Sequence, residues 1–422
     1  MKKAFFALLL VFWIAPTAFA AVDANQHFAY IQELYDRHDK KLYDYLITEI
    51  AQFSQIYPGS EHVAEAHYLA ATLYEEMGRE HEAFAAYLQI LALHPNSTRY
   101  NNCKEAILRV VAKEGDLRER QAEINGKLNE APATGKAADR YLNYLQFCRS
   151  LNISKLTGWL LAGGHNFLER YPSDPHIDAV LQLVADLHRE HGDEHEAAAA
   201  YFKLEYLTPE SDILPYARYQ RATLLYEKLD EPDKAFALFT QIAQQHPETP
   251  FAAKALFLTG EIKEKKHKDY SLAIVQYRLA VDTYPEGEDA VEALWRIAEL
   301  NIGRLDNYVA GIGTFLEIAE KHPNAPRAKD AVEEAASVYE KKLRDYENAA
   351  KSLALFAEKF PEDEKAPEHL FGAGDLMKNE QKDAAKAIAY YEQLITKYPD
   401  HRRAEKARDE IAKLREKMGE QN

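Results

Sequence analysis

The fourteen residues from His188 to Tyr201, HREHGDEHEAAAAY, place His188, His191 and His195 among four carboxylates. Spacings of three and four residues bring side chains onto one helical face, and imidazole and carboxylate are ordinary transition-metal ligands. Two other stretches decide how this one is read. EEMGREHEAFAAY at 75–87 and EKLDEPDKAFALF at 227–239 share its grammar: a helical pattern breaks at Gly or Asp, restarts on polar residues and runs through a small residue to an aromatic. In that alignment His188 falls on Tyr74 and Tyr226, and His191 on Met77 and Leu229, which are packing residues. His195 falls on His81 and Asp233, at the start of a second helix where a polar residue meets free amide groups. The stretch therefore reads as a turn between two helices. No metal and no other cofactor is expected, and the three histidines are the candidate ligands if there is one.

The grammar is periodic along the whole chain. Pro58, Pro95, Pro132, Pro172, Pro209, Pro247, Pro285, Pro323, Pro361 and Pro399 follow one another at intervals of 37 to 40 residues. Proline cannot continue a helix interior, so each marks the end of one helix and the turn into the next. Two helices and two turns fit such an interval, and no stretch alternates as a strand would. The expected order is a leader (1–20), N-terminal units (21–95), degenerate units (96–172), regular units (173–399) and a closing helix with tail (400–422).

Five second helices carry an alanine, an aromatic four residues later and a proline eight beyond that. They are Ala83, Tyr87, Pro95; Ala197, Tyr201, Pro209; Ala235, Phe239, Pro247; Ala273, Tyr277, Pro285; and Ala387, Tyr391, Pro399. A small residue lets two helices approach, and the aromatic one turn on fills the space beside it. This pattern resembles the tetratricopeptide repeat, with units a few residues longer than the family's usual period. That longer spacing is similar to the repeats of bacterial envelope proteins such as the outer-membrane assembly lipoprotein and the Tol-Pal accessory protein. The resemblance implies an all-α, right-handed superhelical solenoid of about ten helix pairs with a C-terminal capping helix, and a concave face that binds a peptide or protein.

Between 96 and 171 the period persists and the motif fades. Arg120 and Leu160 stand where alanine is expected, Gly164 stands where the aromatic is expected, and Gly163 precedes it. Paired glycines inside a helix predict a kink, a close approach by a partner, or drift within the array. Cys103 and Cys148, the two cysteines, fall at offsets too far apart along parallel helices for a disulfide, so two separate thiols are expected.

The first twenty residues pair Lys2 and Lys3 with an apolar run, Pro16 and the small-residue pattern Ala18-Phe19-Ala20, as a secretory signal does. Ala21 follows the expected cut, where a lipoprotein would carry cysteine, so no lipid anchor is expected. No later stretch is apolar enough to span a membrane. The net charge of −16 argues against nucleic acid as a partner. No phosphate loop, nucleophile elbow or His-Glu-x-x-His pair is present, so the chain is not expected to be an enzyme. The expected function is a non-enzymatic interaction scaffold of the bacterial cell envelope, located in the periplasm, with a peptide or protein in its groove. The alternative is a self-assembling structural protein of the envelope. The sequence leaves the partner's identity and the oligomeric state open.

Overall fold

The computed structural model describes residues 23–419, so the leader read at 1–20 lies outside the described residues. The described residues are helical with short turns, and they fall into two compact units that meet at Thr208 and Pro209. The first holds α1 (Ala24–Asp36), α2 (Tyr43–Ile56), α3 (Val63–Glu76), α4 (Glu80–Leu93), α5 (Tyr100–Lys113), α6 (Gly115–Glu119), α7 (Gln121–Asn129), α8 (Ala137–Ser150), α9 (Thr157–Arg170), α10 (Ile177–His191) and α11 (Glu194–Leu207). The second holds α12 (Leu214–Glu227), α13 (Pro232–Gln245), α14 (Pro250–Lys265), α15 (Tyr270–Thr283), α16 (Ala290–Gly303), α17 (Tyr308–Lys321), α18 (Ala328–Val338), α19 (Tyr346–Lys359), α20 (Ala366–Leu376), α21 (Ala384–Lys397) and α22 (Arg402–Gly419). In each unit consecutive helices pack on one another as a tetratricopeptide-type array, five pairs in the first and five followed by α22 in the second, except that α8 is seated chiefly against α4 and not against α7.

One repeat shows how the sequence builds a pair. Its first helix ends on a residue with positive φ: Gly192, Asp230, Lys268, Asp306, Arg344 and Lys382 recur at intervals of 38 residues. The next residue caps the second helix. Leu272 N–H donates to Asp269 at 2.9 Å, Asn348 N–H to Asp345 at 3.1 Å and Lys386 N–H to Asp383 at 2.9 Å. An oxygen there satisfies an amide that the helix leaves free. The first helices α18 and α20 run on into π-helical turns, Tyr339–Leu343 and Met377–Gln381, before reaching Arg344 and Lys382. Tyrosines before the prolines then tie successive units together: Tyr284 donates to the Pro247 carbonyl at 2.9 Å and Tyr398 to the Pro361 carbonyl at 3.0 Å.

The motif positions form the core. Ala83, Ala197, Ala235, Ala273 and Ala387 are fully buried, as are Tyr87, Tyr201, Phe239, Tyr277 and Tyr391. Their prolines lie in the turns, Pro95 half-buried and Pro209, Pro247, Pro285 and Pro399 exposed. Each aromatic also needs a small partner on the first helix of its pair. A Cβ on Gly260 would stand 2.5 Å from the Tyr277 ring, and one on Gly374 would strike Tyr391. Ala71, Ala185, Ala222, Ala298 and Ala336 hold that position in other pairs.

The weakened stretch folds as helices with two departures. The second helix of the third pair breaks at Arg120, between α6 and α7, where the expected alanine is missing. The glycines of α9 produce no break. A Cβ on Gly163 would lie 2.7 Å from Leu145 on α8, and one on Gly164 would lie 2.5 Å from Val184 on α10. Where a kink, a partner's approach or drift was expected, the glycines seat the chain's own neighbouring helices.

Candidate interaction face

Two rungs of side chains link the first helices of successive pairs. The lower rung recurs in three places. Arg99 donates to Glu65 from Nε at 2.7 Å and from Nη2 at 2.6 Å, and its guanidinium lies over Tyr68, 4.7 Å from the ring centre. Arg327 bridges to Glu292 at 3.2 Å over Trp295, again at 4.7 Å. Arg403 donates to Glu368 at 2.5 Å over Phe371, also at 4.7 Å. Lys254 and Asp289 invert the charges, bonded at 2.7 Å with the ammonium over Phe257.

The upper rung uses acids that also reach the motif tyrosines. Glu75 takes Arg109 and Lys113, each at 3.1 Å, and accepts the Tyr87 hydroxyl at 3.2 Å. Glu264 pairs with Arg296 and accepts Tyr277 at 2.8 Å. Asp375 accepts Tyr391 at 2.7 Å and binds Lys378 at 3.1 Å, which continues to Glu410 at 3.0 Å. Tyr201 likewise donates to Asp186. A buried hydroxyl without a partner costs about 1–3 kcal/mol, so the acid is what allows a tyrosine where phenylalanine would fit. Burial alone would raise the Glu75 pKa, but the Arg109 and Lys113 hydrogen bonds outweigh it and hold the carboxyl below its usual range. Burial, with the neighbouring carboxylate, pushes the Tyr277 and Tyr391 hydroxyls far up, so they donate at any physiological pH. Sequence reading identified the tyrosines as core and missed these acids. The signal was present as Glu or Asp 12 to 16 residues before each motif tyrosine.

His188 and His191 do come together, on Asp193: His188 Nδ1 lies 3.2 Å from Oδ2, and His191 Nδ1 lies 3.2 Å from both oxygens. Hydrogen bonds from His188 and then His191 hold the Asp193 carboxyl below its usual range. His188 is half-buried, as its packing relatives suggest, whereas His195 is exposed and does not join the other two. Its relative His81 is buried instead of solvated, with Nε2 at 2.9 and 3.0 Å from the Asp116 carboxylate. Among the described residues, two groups bring three ligand atoms within 4.8 Å: His81, Glu114 and Asp116, and Asp139, Asp174 and His176. Lys155 already stands 3.5 Å from Glu114 and 3.7 Å from Asp116, where a cation would sit. In the other group Asp174 accepts both the His176 amide and its ring nitrogen, as a turn aspartate does.

Cys103 and Cys148 are buried free thiols. Burial pushes both up to about 12, so neither is a thiolate nucleophile near neutral pH. Among the described residues no helix is long and apolar enough to cross a membrane.

The tetratricopeptide-repeat family model matches residues 65–97, 216–249 and 370–401, each covering a first helix and the second helix after it. The chain carries tetratricopeptide repeats at these three places. Repeats of this family are protein-interaction modules without catalytic machinery of their own. No curated protein sequence matches the chain significantly. Among solved structures, it is similar to a tetratricopeptide-repeat protein from Parabacteroides merdae at 16% identity and TM-score 0.36, over 66% of this chain and 99% of that one. MamA from Desulfovibrio magneticus is 19% identical with TM-score 0.35, over 46% of this chain and 99% of its own. Pseudomonas aeruginosa PilF is 18% identical with TM-score 0.30, over 55% of this chain and 97% of its own.

Proposed function

We propose that this tetratricopeptide-repeat protein is a non-enzymatic scaffold of the bacterial cell envelope that holds a peptide or protein segment along the first helices of its repeats. The observation that carries the reading is the repeated rung of acid, arginine and aromatic. Glu65, Arg99 and Tyr68 recur as Glu292, Arg327 and Trp295 and as Glu368, Arg403 and Phe371. The rungs fix the spacing between neighbouring first helices and leave guanidinium surfaces, with the partly exposed rings of Tyr68 and Trp295, open to solvent. Such surfaces suit an extended chain, because aromatic side chains offer contact area at low entropic cost. Export to the periplasm is supported by the leader pattern, with cleavage after Ala20.

The test is in-cell cross-linking through a photoreactive residue at Trp295, followed by identification of what is captured, with cell fractionation in parallel. The reading requires a periplasmic chain beginning at Ala21 and a partner whose capture is lost in Arg327→Glu. A chain that remains in the cytoplasm overturns the location. Cross-linking only to other copies of itself, with light scattering that grows with concentration, replaces the scaffold by a self-assembling structural protein.

A further inference from the structure

Four basic side chains converge in the first unit without an acid among them. His67 lies on α3, His94 caps the end of α4, Arg140 is in the first turns of α8 and Arg170 ends α9. The two imidazoles stand 5.6 Å apart, inclined at 58°. Arg140 donates to the Ala92 carbonyl at 3.0 Å, the Leu93 carbonyl at 3.2 Å and the Gly135 carbonyl at 2.5 Å, which pins its guanidinium against the end of α4 beside His94. The Arg170 charge reaches both imidazoles and the Tyr141 hydroxyl. Burial first, then the other imidazole and Arg170, pushes His67 down to about 3. Burial, Arg170 and Arg140 push His94 down to about 4. Both rings are therefore neutral near pH 7, each with one N–H to give.

What sets the cluster apart is what it lacks. The cations of the rungs spend their charge on carboxylates, in a chain of net charge −16. Among the described residues neither Arg140 nor Arg170 has a carboxylate within 4.0 Å, and neither His67 nor His94 has a hydrogen-bond partner for its ring nitrogens. Both histidines keep part of their surface open to solvent. Gathering like charges and unpaired donors costs stability, and most pairs stack without it: the residue equivalent to His67 is Leu181, Leu256, Leu294, Val332 or Leu370 in five other pairs and Arg218 in a sixth.

We propose that this cluster binds a phosphate-type oxyanion, held by the guanidiniums of Arg140 and Arg170 and by the N–H groups of His67 and His94. Two fixed positive charges match a dianion, and two neutral donors complete a four-sided cage that a flat, singly charged carboxylate would only half fill. The site is separate from the first-helix rungs, so it stands or falls independently of the peptide-binding reading.

The test titrates the full mature chain with inorganic phosphate at pH 7, with acetate at matched ionic strength as control, while following the ring signals of labelled histidines. The expected result is saturable movement of the His67 and His94 signals with phosphate and none with acetate. Arg170→Gln, an exposed substitution, should weaken that binding by about tenfold, the value of one charge-assisted hydrogen bond. Glycerol 3-phosphate and vesicles containing phosphatidic acid separate a soluble ester from a lipid headgroup, and a response to either that is lost in Arg170→Gln supports the site. No saturable response to any phosphate, an equal response to acetate, or full binding by Arg170→Gln overturns it.

Discussion

The regular pairs of the second unit and the α8–α9 pair of the first solve the same packing problem with opposite assignments. In the regular pairs the first helix is small, Gly260 or Gly374, and the second helix supplies the ring of Tyr277 or Tyr391. In α8–α9 the position equivalent to Gly260 is Leu145, fully buried, and the small residue is Gly163 on the second helix, seated under that leucine. Gly164, where the ring should be, opens α9 to Val184 of the next first helix. What a helix pair needs is complementary volume at one crossing, and either helix can provide the bulk. The polar consequence differs. A tyrosine brings a hydroxyl and with it the acid, and at Glu75 and Glu264 the acid brings the cation of the next first helix. Leu145 brings none of these, and Tyr144 beside it sends its hydroxyl to the Ala85 carbonyl at 3.0 Å.

The largest test of that difference removes the bulk from each side. Tyr391→Ala should destabilise the chain by about 3–5 kcal/mol, since a full ring is lost from the core. Tyr391→Phe should cost only about 1 kcal/mol, because Asp375 keeps Lys378. Leu145→Ala should cost about 2–5 kcal/mol and show no comparable polar component. Denaturant melts of the three variants check this, and a Tyr391→Phe loss as large as that of Tyr391→Ala would mean that the hydroxyl, not the ring, holds the pair.

Filling the small side comes next in size. Gly374→Ala and Gly163→Ala should each cost about 1–3 kcal/mol, as overpacking does. If the assignments are true mirror images, Leu145→Ala combined with Gly163→Ala should lose clearly less than the two single changes added together, because the shortened Leu145 relieves the clash of the new methyl and that methyl fills part of the cavity the leucine leaves. Strict additivity would show that the two residues do not share one space.

The rungs give a smaller and pH-dependent effect. Burial raises the Glu368 pKa, but hydrogen bonds from Arg402 and Arg403 outweigh it and hold the carboxyl below its usual range. A depressed carboxyl contributes stability that is present above its unfolded pKa, near 4.3, and is lost as the pH falls through the folded value. Glu368→Gln should therefore cost under about 1 kcal/mol at pH 7, given its solvent exposure, and should flatten the loss of stability below about pH 5. An acid limb as steep in the variant as in the parent would remove Glu368 from the account.

Much of this order was legible in the sequence, and the reason is physical. Proline, the small residue and the aromatic each fix one backbone or packing choice, so Ala273, Tyr277 and Pro285 placed a pair without reference to anything distant. The acid partners were not read, because Glu264 looks like any surface glutamate until Tyr277 and Arg296 are folded against it. The break at Arg120 was visible only as a missing alanine, and His81 looked like a solvated helix start until Asp116 was brought to it from another pair. Residues whose role depends on a distant neighbour carry their signature only in the spacing to that neighbour.

The αL residues sharpen the same point at the smallest scale. Gly78 and Gly192 end their first helices with φ of 70° and 86°, at no steric cost, while Lys268, Arg344 and Lys382 adopt 57°, 52° and 57° at the equivalent turns. A side chain in the left-handed region costs about 1–2 kcal/mol, and glycine recovers that at an entropic cost of about 0.5–1 kcal/mol in the unfolded chain. Lys382→Gly should therefore stabilise the second unit by roughly 0.5 kcal/mol, leaving the Asp383 cap on Lys386 N–H intact. Gly192→Lys, the reciprocal change in the first unit, should destabilise by a similar amount. Paired melts that move in opposite directions confirm that the turn geometry is imposed by the helix pair. If Lys382→Gly is destabilising instead, the lysine stem contributes packing at the π-helical end of α20 that outweighs its backbone strain.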